Sequence, residues 1–516
     1  MLNRKRLGVF VIYDANGIID EYIPYLLSDI IQNLDRLVIV CNGSIDDSGM
    51  EVLSKYSNEI IIRENEGFDG GAYKYVLTEY IRRNNADEFD DIVLFNDTFY
   101  GPFYPFSEVF SYMDDKSCDF WGLSMHGCFY AYNQINSKHV QSFFLVIRHS
   151  VTASDSFWDF WKEMQTATNI DKAVINYEIS LSKNLIEAGF VPGAYLQMEC
   201  YLTDNPERNM DYCQLKAGEC IAGHGFPILK RKSFLNQEGI EDNHELKTAI
   251  RYIYNTYDYP IDYIFSSLFR KEELGLIYRS FGLNMEFSGR QFKLDGKMSF
   301  LIVVCDCDGE IMEDIGKSID RITYQYSEVE IVVIKQDPVL FIIDKLKTSD
   351  RYDYVCLIQN EEWIASEHRQ NRARWRDYHF SCSLLKERIT DYLGEVSALQ
   401  KTFGIMFPQP TPKDLKIKFS SSKDVYNRVG DYLKTKDIKF RCNNIDNIVF
   451  SFKSFWCEIA LLQELLKLYE PKYHEAWFDA LPYLAQYFGR GMNYLSGCVD
   501  PDDYINMYEK IIRNFC

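Results

Sequence analysis

The sequence predicts an α/β protein: a mostly parallel sheet flanked by helices, then a helical connector, then a second α/β domain with a helical C-terminal part. Three observations predict it. Val9 to Tyr13 and Leu37 to Val40 are apolar strands, and between them Ile19, Tyr22, Ile23, Leu26, Leu27, Ile30, Ile31 and Leu34 recur at the spacing of one helix face. A strand, helix, strand succession means a right-handed crossover and parallel pairing. The same succession starts again at Phe300 to Val304, with Ile311, Ile315, Ile319 and Ile322 on a helix face and Val329 to Ile334 as the next strand. Third, the run from Asp90 to Pro102 is a short apolar strand that stops on Asn96-Asp97-Thr98 and turns at Gly101-Pro102, so the Asp97 carboxylate belongs at the carboxyl end of a buried strand. In open α/β sheets ligands bind at that edge.

In chain order, Cys41-Asn42-Gly43-Ser44-Ile45-Asp46 follows the second strand. A third strand, Ile60 to Ile62, runs into Glu64-Asn65-Glu66-Gly67-Phe68-Asp69-Gly70-Gly71-Ala72-Tyr73-Lys74, and a helix follows with Tyr73, Val76, Leu77, Tyr80 and Ile81 on one face. A glycine-rich turn entering a helix suits phosphate: the backbone approaches closely and free N–H groups meet the anion. It equally suits a tight strand-to-helix connection. Asp97 beside Asn96 suits a hard divalent cation held through oxygen, and the same residues suit a plain turn. Phe106 to Met113 reads as a helix and His139 to Arg148 as a strand whose entry either presents His139 and Gln141 to a sugar or leaves them solvated. Tyr177-Glu178-Ile179 opens a helix that closes at Gly189. Lys230, Arg231 and Lys232 are a basic run, either a solvated face or a contact for donor or acceptor.

Composition narrows the classes. Of the 516 residues, 47% are apolar and 26% charged, enough for several buried cores. A formal net charge of −20 argues against non-specific nucleic-acid binding and against adhesion to an anionic membrane. The basic start, Met1 to Arg6, precedes an apolar run too short for a signal peptide, and no stretch nears the roughly 18 apolar residues that span a bilayer. A cytoplasmic protein is expected, with peripheral membrane contact at most. The 14 cysteines show no CxxC spacing, which suits reduced thiols. Cys305-Asp306-Cys307-Asp308 comes closest to a metal cluster, but it ends a strand.

The order Asn42-Gly43-Ser44-x-Asp46, Asn65-x-Gly67-Phe68-Asp69-x-Gly71, Asn96-Asp97-Thr98 and Glu178 with Leu181 and Gly189 resembles the inverting GT-A glycosyltransferases. More narrowly, Glu64 to Lys74, Asn96 to Pro102, Asp119-Phe120-Trp121-Gly122, His139 to Phe144 and Gly225 to Lys230 resemble the rhamnan synthesis protein F family, rhamnosyltransferases of bacterial cell-wall and surface polysaccharide assembly. Gly404 to Pro408 and Phe455-Trp456 fit its longer members.

The resemblance implies a GT-A-like, Rossmann-like catalytic domain over residues 1–236, a helical aromatic connector over 237–294, and a second, degenerate GT-A-like domain over 295–516. It implies an inverting transferase that takes rhamnose from dTDP-rhamnose to a lipid-linked glycan acceptor, with Mg2+ or Mn2+ as cofactor and other polysaccharide-assembly enzymes as possible partners. Glu178 falls at the catalytic base, and Asp97, with His224 as a late ligand, at the metal. Asn42, Ser44, Asp46, Asn65, Gly67, Asp69, Gly70, Gly71, Lys74 and Asn96 fall around the donor, and His139 and Gln141 toward the acceptor. Three positions depart from the pattern. Cys41 stands where many relatives carry an acid that reads the base, Asn96 replaces one carboxylate of the DxD pair, and Ile179 follows Glu178 where a second acid is usual. Asn360 and Glu361 mirror Asn96 and Asp97 in the second domain, which lacks a glycine-rich turn.

Overall fold

A computed structural model describes residues 4–235, 244–281, 298–305, 312–313, 316, 328–349, 351–359, 403–408, 422–445 and 448–495. The chain divides into two compact units, Met1–Tyr263 and Ile264–Cys516. Part of the expected connector therefore folds into the first unit. Helix His244–Thr256 packs there, with Glu245 accepting from the Glu219 N–H at 2.9 Å, while Tyr257 stacks on Phe103 and Tyr259 meets it edge-on.

The first unit is built on an eight-stranded sheet. Its strands are β1 (Arg6–Ile12), β2 (Arg36–Asn42), β3 (Glu59–Arg63), β4 (Asp91–Asn96), β6 (Phe120–His126), β9 (His139–Val140), β10 (Phe144–Arg148) and β11 (Pro192–Leu196), while β5 (Phe99–Tyr100) pairs with β12 (Leu229–Lys230) and β7 (Phe129–Ala131) with β8 (Gln134–Asn136) outside it. The order is β11-β6-β10-β4-β1-β2-β3, with β9 paired to β6. β1, β2, β3 and β4 run parallel, as do β6 and β11, while β10 runs antiparallel to both β4 and β6. The chain moves outward from β1 through β2 to β3 and then returns to the other side of β1 as β4, so the strand order reverses between β1 and β4. Such a reversal opens a crevice at the carboxyl edge.

Because β10 is antiparallel, its amino-terminal entry lies at that same edge: Phe144 pairs Phe95, and the Asn96 N–H donates to Phe143 O at 3.2 Å. The centre of the sheet is mainly apolar, as expected for strands covered on both faces, while the outer strand β3 is partly exposed. Val9, Val11, Val38, Val40, Leu94 and Val146 are inaccessible to solvent, and Tyr73, Leu77, Trp161 and Leu185 come from the flanking helices.

Two expectations change here. The strand expected from His139 to Arg148 is broken at 141–143 into β9 and β10, where the Gln141 N–H still donates to Ser124 O at 3.1 Å and the Ser142 N–H turns to Glu178. The helix expected to open at Tyr177 instead begins at Ile170, where the Asn169 side chain accepts from the Lys172 N–H at 2.9 Å. Val174–Ile179 is a wide π-type turn inside that helical run, and Glu178 sits on it. Such widened turns recur at functional sites because they re-aim a side chain.

The second unit has a six-stranded sheet of β13 (Phe300–Cys305), β14 (Val329–Ile334), β15 (Tyr354–Gln359), β16 (Phe403–Pro408), β17 (Phe455–Glu458) and β18 (Gly491–Leu495), in the order β14-β13-β15-β17-β16-β18. β17 is the antiparallel strand, and helices Pro338–Thr348, Ser422–Thr435, Ile459–Lys467 and His474–Tyr487 accompany the sheet. The expected helix face at Ile311 to Ile322, the Cys307-Asp308 end of the cysteine cluster, Asn360 and Glu361 lie outside the described residues.

Candidate active site

The carboxyl edge of β4 carries the centre of the site. Asn96 serves both of the roles its position suggests. Its Oδ1 accepts from the Thr98 N–H at 3.1 Å and hydroxyl at 2.7 Å, closing the turn, while its Nδ2 donates to Asp69 Oδ2 at 2.6 Å. Asp97 is buried, and its backbone carbonyl accepts from the Tyr22 hydroxyl at 2.8 Å. Its carboxylate lies 3.6 Å from the Arg231 guanidinium. The backbone explains that approach. Short strands β5 (Phe99–Tyr100) and β12 (Leu229–Lys230) pair, and the Arg231 N–H donates to Thr98 O at 3.0 Å, so Arg231 leaves its strand beside the turn that presents Asp97.

The glycine turn reaches the same place. Gly67 and Phe68 both adopt positive φ, of 76° and 55°, and start helix Phe68–Tyr75. A Cβ on Gly71 would meet Glu66 O at 2.2 Å, and one on Gly70 would meet the Tyr177 Cβ at 2.9 Å. Close packing thus requires these glycines, and it brings the turn against the residue beside Glu178. Asp69 stands between Asn96 and this contact. Burial, and then the charge of Asp97, push its carboxyl up to about 7. The buried hydroxyls of Tyr73 and Tyr177, whose rings lie 5.6 Å apart, have no hydrogen-bond partner among the described residues.

Asn42 holds the turn from the end of β2: its Nδ2 donates to Phe68 O at 3.2 Å and its Oδ1 accepts from Arg63 at 2.7 Å. Cys41 is buried, and burial pushes its thiol up to about 11, so it is neutral where an acid was expected.

Lys74, expected at the diphosphate, instead donates to Lys162 O at 3.0 Å and Met164 O at 2.8 Å, closing the end of helix Asp155–Glu163. Asp46 caps helix Asp47–Leu53 by accepting from the Gly49 N–H at 2.6 Å. Ser44, Asn65 and His224 are exposed.

The third arm is Glu178, and its carboxylate is fully engaged. His139 Nε2 donates to Oε1 at 3.2 Å, while the Ser142 N–H and hydroxyl donate to Oε2 at 2.9 Å and 2.5 Å. His139 Nδ1 faces Ser137 O at 3.0 Å. With acceptors at both ring nitrogens, the ring is an imidazolium. Burial works against both charges, but the His139 bond and charge, with the two Ser142 donors, hold Glu178 well below the usual carboxylate range. Burial likewise opposes the charge on His139, yet Glu178 raises it above its ordinary value. His126 stacks on His139 at 5.5 Å and is shifted down, mainly by burial.

Gln141 is buried rather than presented to a sugar. It accepts from the Ser124 hydroxyl at 2.5 Å and donates to Asp211 at 3.1 Å, and Asp211 accepts from Lys230 at 2.8 Å. Lys230, with its ammonium 5.0 Å from the Phe143 ring centre, and Arg231 therefore do not form the solvated basic face that was one reading of that run.

The structure thus links Asp97, Asn96, Asp69, the glycine turn, Tyr177 and Glu178 at one edge, brings Arg231 of the basic run beside them, and adds Asp211, His126 and Ser142, to which no role was assigned from sequence. Ser142 lies inside the His139 to Phe144 motif. Asp211 sits in a polar loop with no motif of its own. The donor set fits a divalent ion poorly, since Asp97 faces a guanidinium, Asn96 is committed and His224 is exposed. Among the described residues, no group of three or more His, Cys, Asp or Glu is arranged to hold a metal. No helix among them is long and apolar enough to cross a membrane.

The uncharacterized protein y4gN of Sinorhizobium fredii (strain NBRC 101917 / NGR234) is 24% identical over 186 residues, 36% of this chain and 46% of that protein, so the match spans less than half of the relative. A crystal structure of 4-diphosphocytidyl-2C-methyl-D-erythritol synthase aligns with a TM-score of 0.24 and 10% identity, over 40% of this chain and 95% of that one. The model of a family described as rhamnan synthesis protein F matches residues 37–360, from β2 through the glycine turn, the β4 edge and the Glu178 helix into the second unit. With well over half of its length matched, including the elements that meet at this edge, the chain belongs to the rhamnan synthesis protein F family.

Proposed function

We propose that the protein is an inverting glycosyltransferase of GT-A type that transfers rhamnose from dTDP-rhamnose to a lipid-linked bacterial cell-wall or surface polysaccharide, with its catalytic site in the first unit. One observation carries the reading: the Asn96-Asp97 turn, Asp69 with its glycine turn, and Glu178 meet at the carboxyl edge where the strand order reverses. Family membership supports the transferase class.

In the reaction, an acceptor hydroxyl oxygen bonds to the anomeric carbon while the bond from that carbon to the donor diphosphate breaks. The electron pair leaves with the nucleoside diphosphate, and the hydroxyl proton passes to a base. Glu178 is the proposed base. His139 and Ser142 fix its orientation and keep it ionised through the working pH range. The same contacts lower its proton affinity, so by Brønsted behaviour proton transfer comes late, once the attacking oxygen has become acidic. The donor set at Asp97, which faces a guanidinium beside an already committed Asn96, does not fit a metal.

The engagement of both Glu178 oxygens favours a second reading, a non-catalytic glycan-binding assembly subunit. The two readings part in one experiment. Purified protein with dTDP-rhamnose and a lipid-linked glycan acceptor releases dTDP under the first reading, and Glu178→Gln stops release while still binding dTDP. Full release by the Glu178 variant removes it as the base. Glycan binding without release from any nucleotide sugar establishes the subunit.

A further inference from the structure

We infer that Arg231 is the resident cation of the donor site: its guanidinium, held beside Asp97, takes the diphosphate oxygens, so nucleotide binding needs no divalent metal. The inference rests on the donor-site reading above and concerns how that site neutralises its ligand.

Three acid and cation pairs line this edge. Glu178 with His139 (3.2 Å) and Asp211 with Lys230 (2.8 Å) are close, and their cations are enclosed, with side-chain exposures of 1% and 10%. Asp97 with Arg231 is the widest at 3.6 Å, and Arg231 is the most exposed of the three cations at 22%. Arg231 is therefore the cation of the three that an incoming anion reaches most readily. It is also well positioned, because its backbone is bonded to Thr98, one residue from Asp97, and Nη1 lies 3.5 Å from Asp97 O.

Chemistry favours the same group. A hard divalent ion takes several oxygen ligands at about 2.0–2.6 Å. Asp97 already has a permanent positive charge as neighbour, and the adjacent acid, Asp69, is hydrogen-bonded to Asn96. A guanidinium is planar, always charged, and matches phosphate oxygens in a two-point grip. A cation at this position would also stabilise the charge that develops on the departing diphosphate. Lys74, expected from sequence to serve there, is occupied with helix-end carbonyls, which leaves the role to Arg231.

The test is calorimetric titration of the full chain with dTDP, UDP and GDP, in excess EDTA and again in Mg2+ or Mn2+, with thermal unfolding to confirm that each variant folds. Expected are wild-type binding of one nucleotide that EDTA changes by less than about 3-fold, and an Arg231→Met variant that loses about 10-fold or more in EDTA, with partial recovery in Arg231→Lys. If Arg231→Met fails to fold, Asp97→Asn decides. Removing the carboxylate that competes with phosphate for the guanidinium tightens binding in EDTA, whereas loss of a metal ligand would abolish it. Binding only with metal, or binding lost in Asp97→Asn and kept in Arg231→Met, overturns the inference and leaves the donor site standing. No binding of any of the three nucleotides under either condition overturns the donor site, and the inference with it.

Discussion

The two units follow one plan and differ, among the described residues, at the carboxyl ends of β4 and β15. Read across the sheet, β2-β1-β4-β10-β6-β11 in the first unit and β14-β13-β15-β17-β16-β18 in the second have the same chain order and directions, with the fourth strand antiparallel in each. Between β2 and β4 the first unit inserts β3 and the glycine turn. The second passes from β14 through three residues into helix Pro338–Thr348, which Asp337 caps at Val339 and Leu340.

At the described end of β15 the contacts are neutral: the Gln359 N–H donates to the Ser454 hydroxyl at 2.9 Å, and that hydroxyl donates to Gln359 O at 3.1 Å. At the matching edge of the first unit, three acids face three cations. A sheet order can thus be kept while the contacts at one strand end are charged or neutral, because hydrogen-bonded ladders fix the order and loops decorate the strand ends.

That contrast can be broken or sharpened by paired substitutions. The largest expected effect is on turnover: Glu178→Gln lowers dTDP release from dTDP-rhamnose by about 10²–10⁴-fold, the range for a lost general base, while Gln359→Ala changes it little. Equal losses would show that the second edge also works.

Next is stability. Lys230→Met leaves the half-buried Asp211 carboxylate with Gln141 and the Gln214 N–H but no cation, and costs about 1–3 kcal/mol in chemical unfolding. Lys453→Ala, at the second unit's solvated pair with Glu475, costs within about 0.5 kcal/mol.

A smaller difference separates two glycines. Gly71→Ala drives a Cβ into the Glu66 backbone carbonyl and costs about 1–3 kcal/mol, whereas at Gly404→Ala the obstacle is the Leu461 side chain, which can shift, so the loss is smaller.

The smallest effect is a pH dependence. With its pKa raised to about 7, Asp69 keeps its proton in the folded state over a range in which the unfolded chain has lost it, so its contribution falls as pH rises from about 4 to 7. Asp69→Asn should therefore raise the melting temperature relative to wild type most at pH 8, less at pH 5 and hardly at pH 3. An equal rise at all three would assign the effect to packing.

The pair Glu178 and His139 has opposite limits. The lowered Glu178 adds stability above its unfolded pKa of about 4.3, which is lost as pH falls through its folded value, and the raised His139 adds stability below about 6.5, which is lost as pH rises through its folded value.

Much of the plan is legible in the chain. Apolar runs such as Val9 to Tyr13 and Ile92 to Phe95, and the helix face from Ile19 to Leu34, announce a parallel α/β sheet because burial imposes its period on the sequence. Asn96-Asp97 at a strand end and the Gly70-Gly71 turn mark the edge, since backbone geometry restricts what residues can stand there.

The roles of the long polar side chains were less legible. Lys74 looks like a phosphate ligand until Lys162 and Met164 supply carbonyls, Gln141 looks like a sugar contact until Asp211 claims it, and Arg231 looks solvated until β12 pairs with β5. Each outcome depends on a partner distant in sequence.

The sequence by itself determined the order of strands and helices, the glycine turn and the position of Asp97, because periodic burial and turn geometry are local properties of a chain. Only the tertiary structure decided which charges meet. Glu178 finds His139 39 positions away, and Asp97 finds Arg231 134 positions away. Electrostatic pairing acts through space over a few ångströms, and no spacing along the chain encodes it.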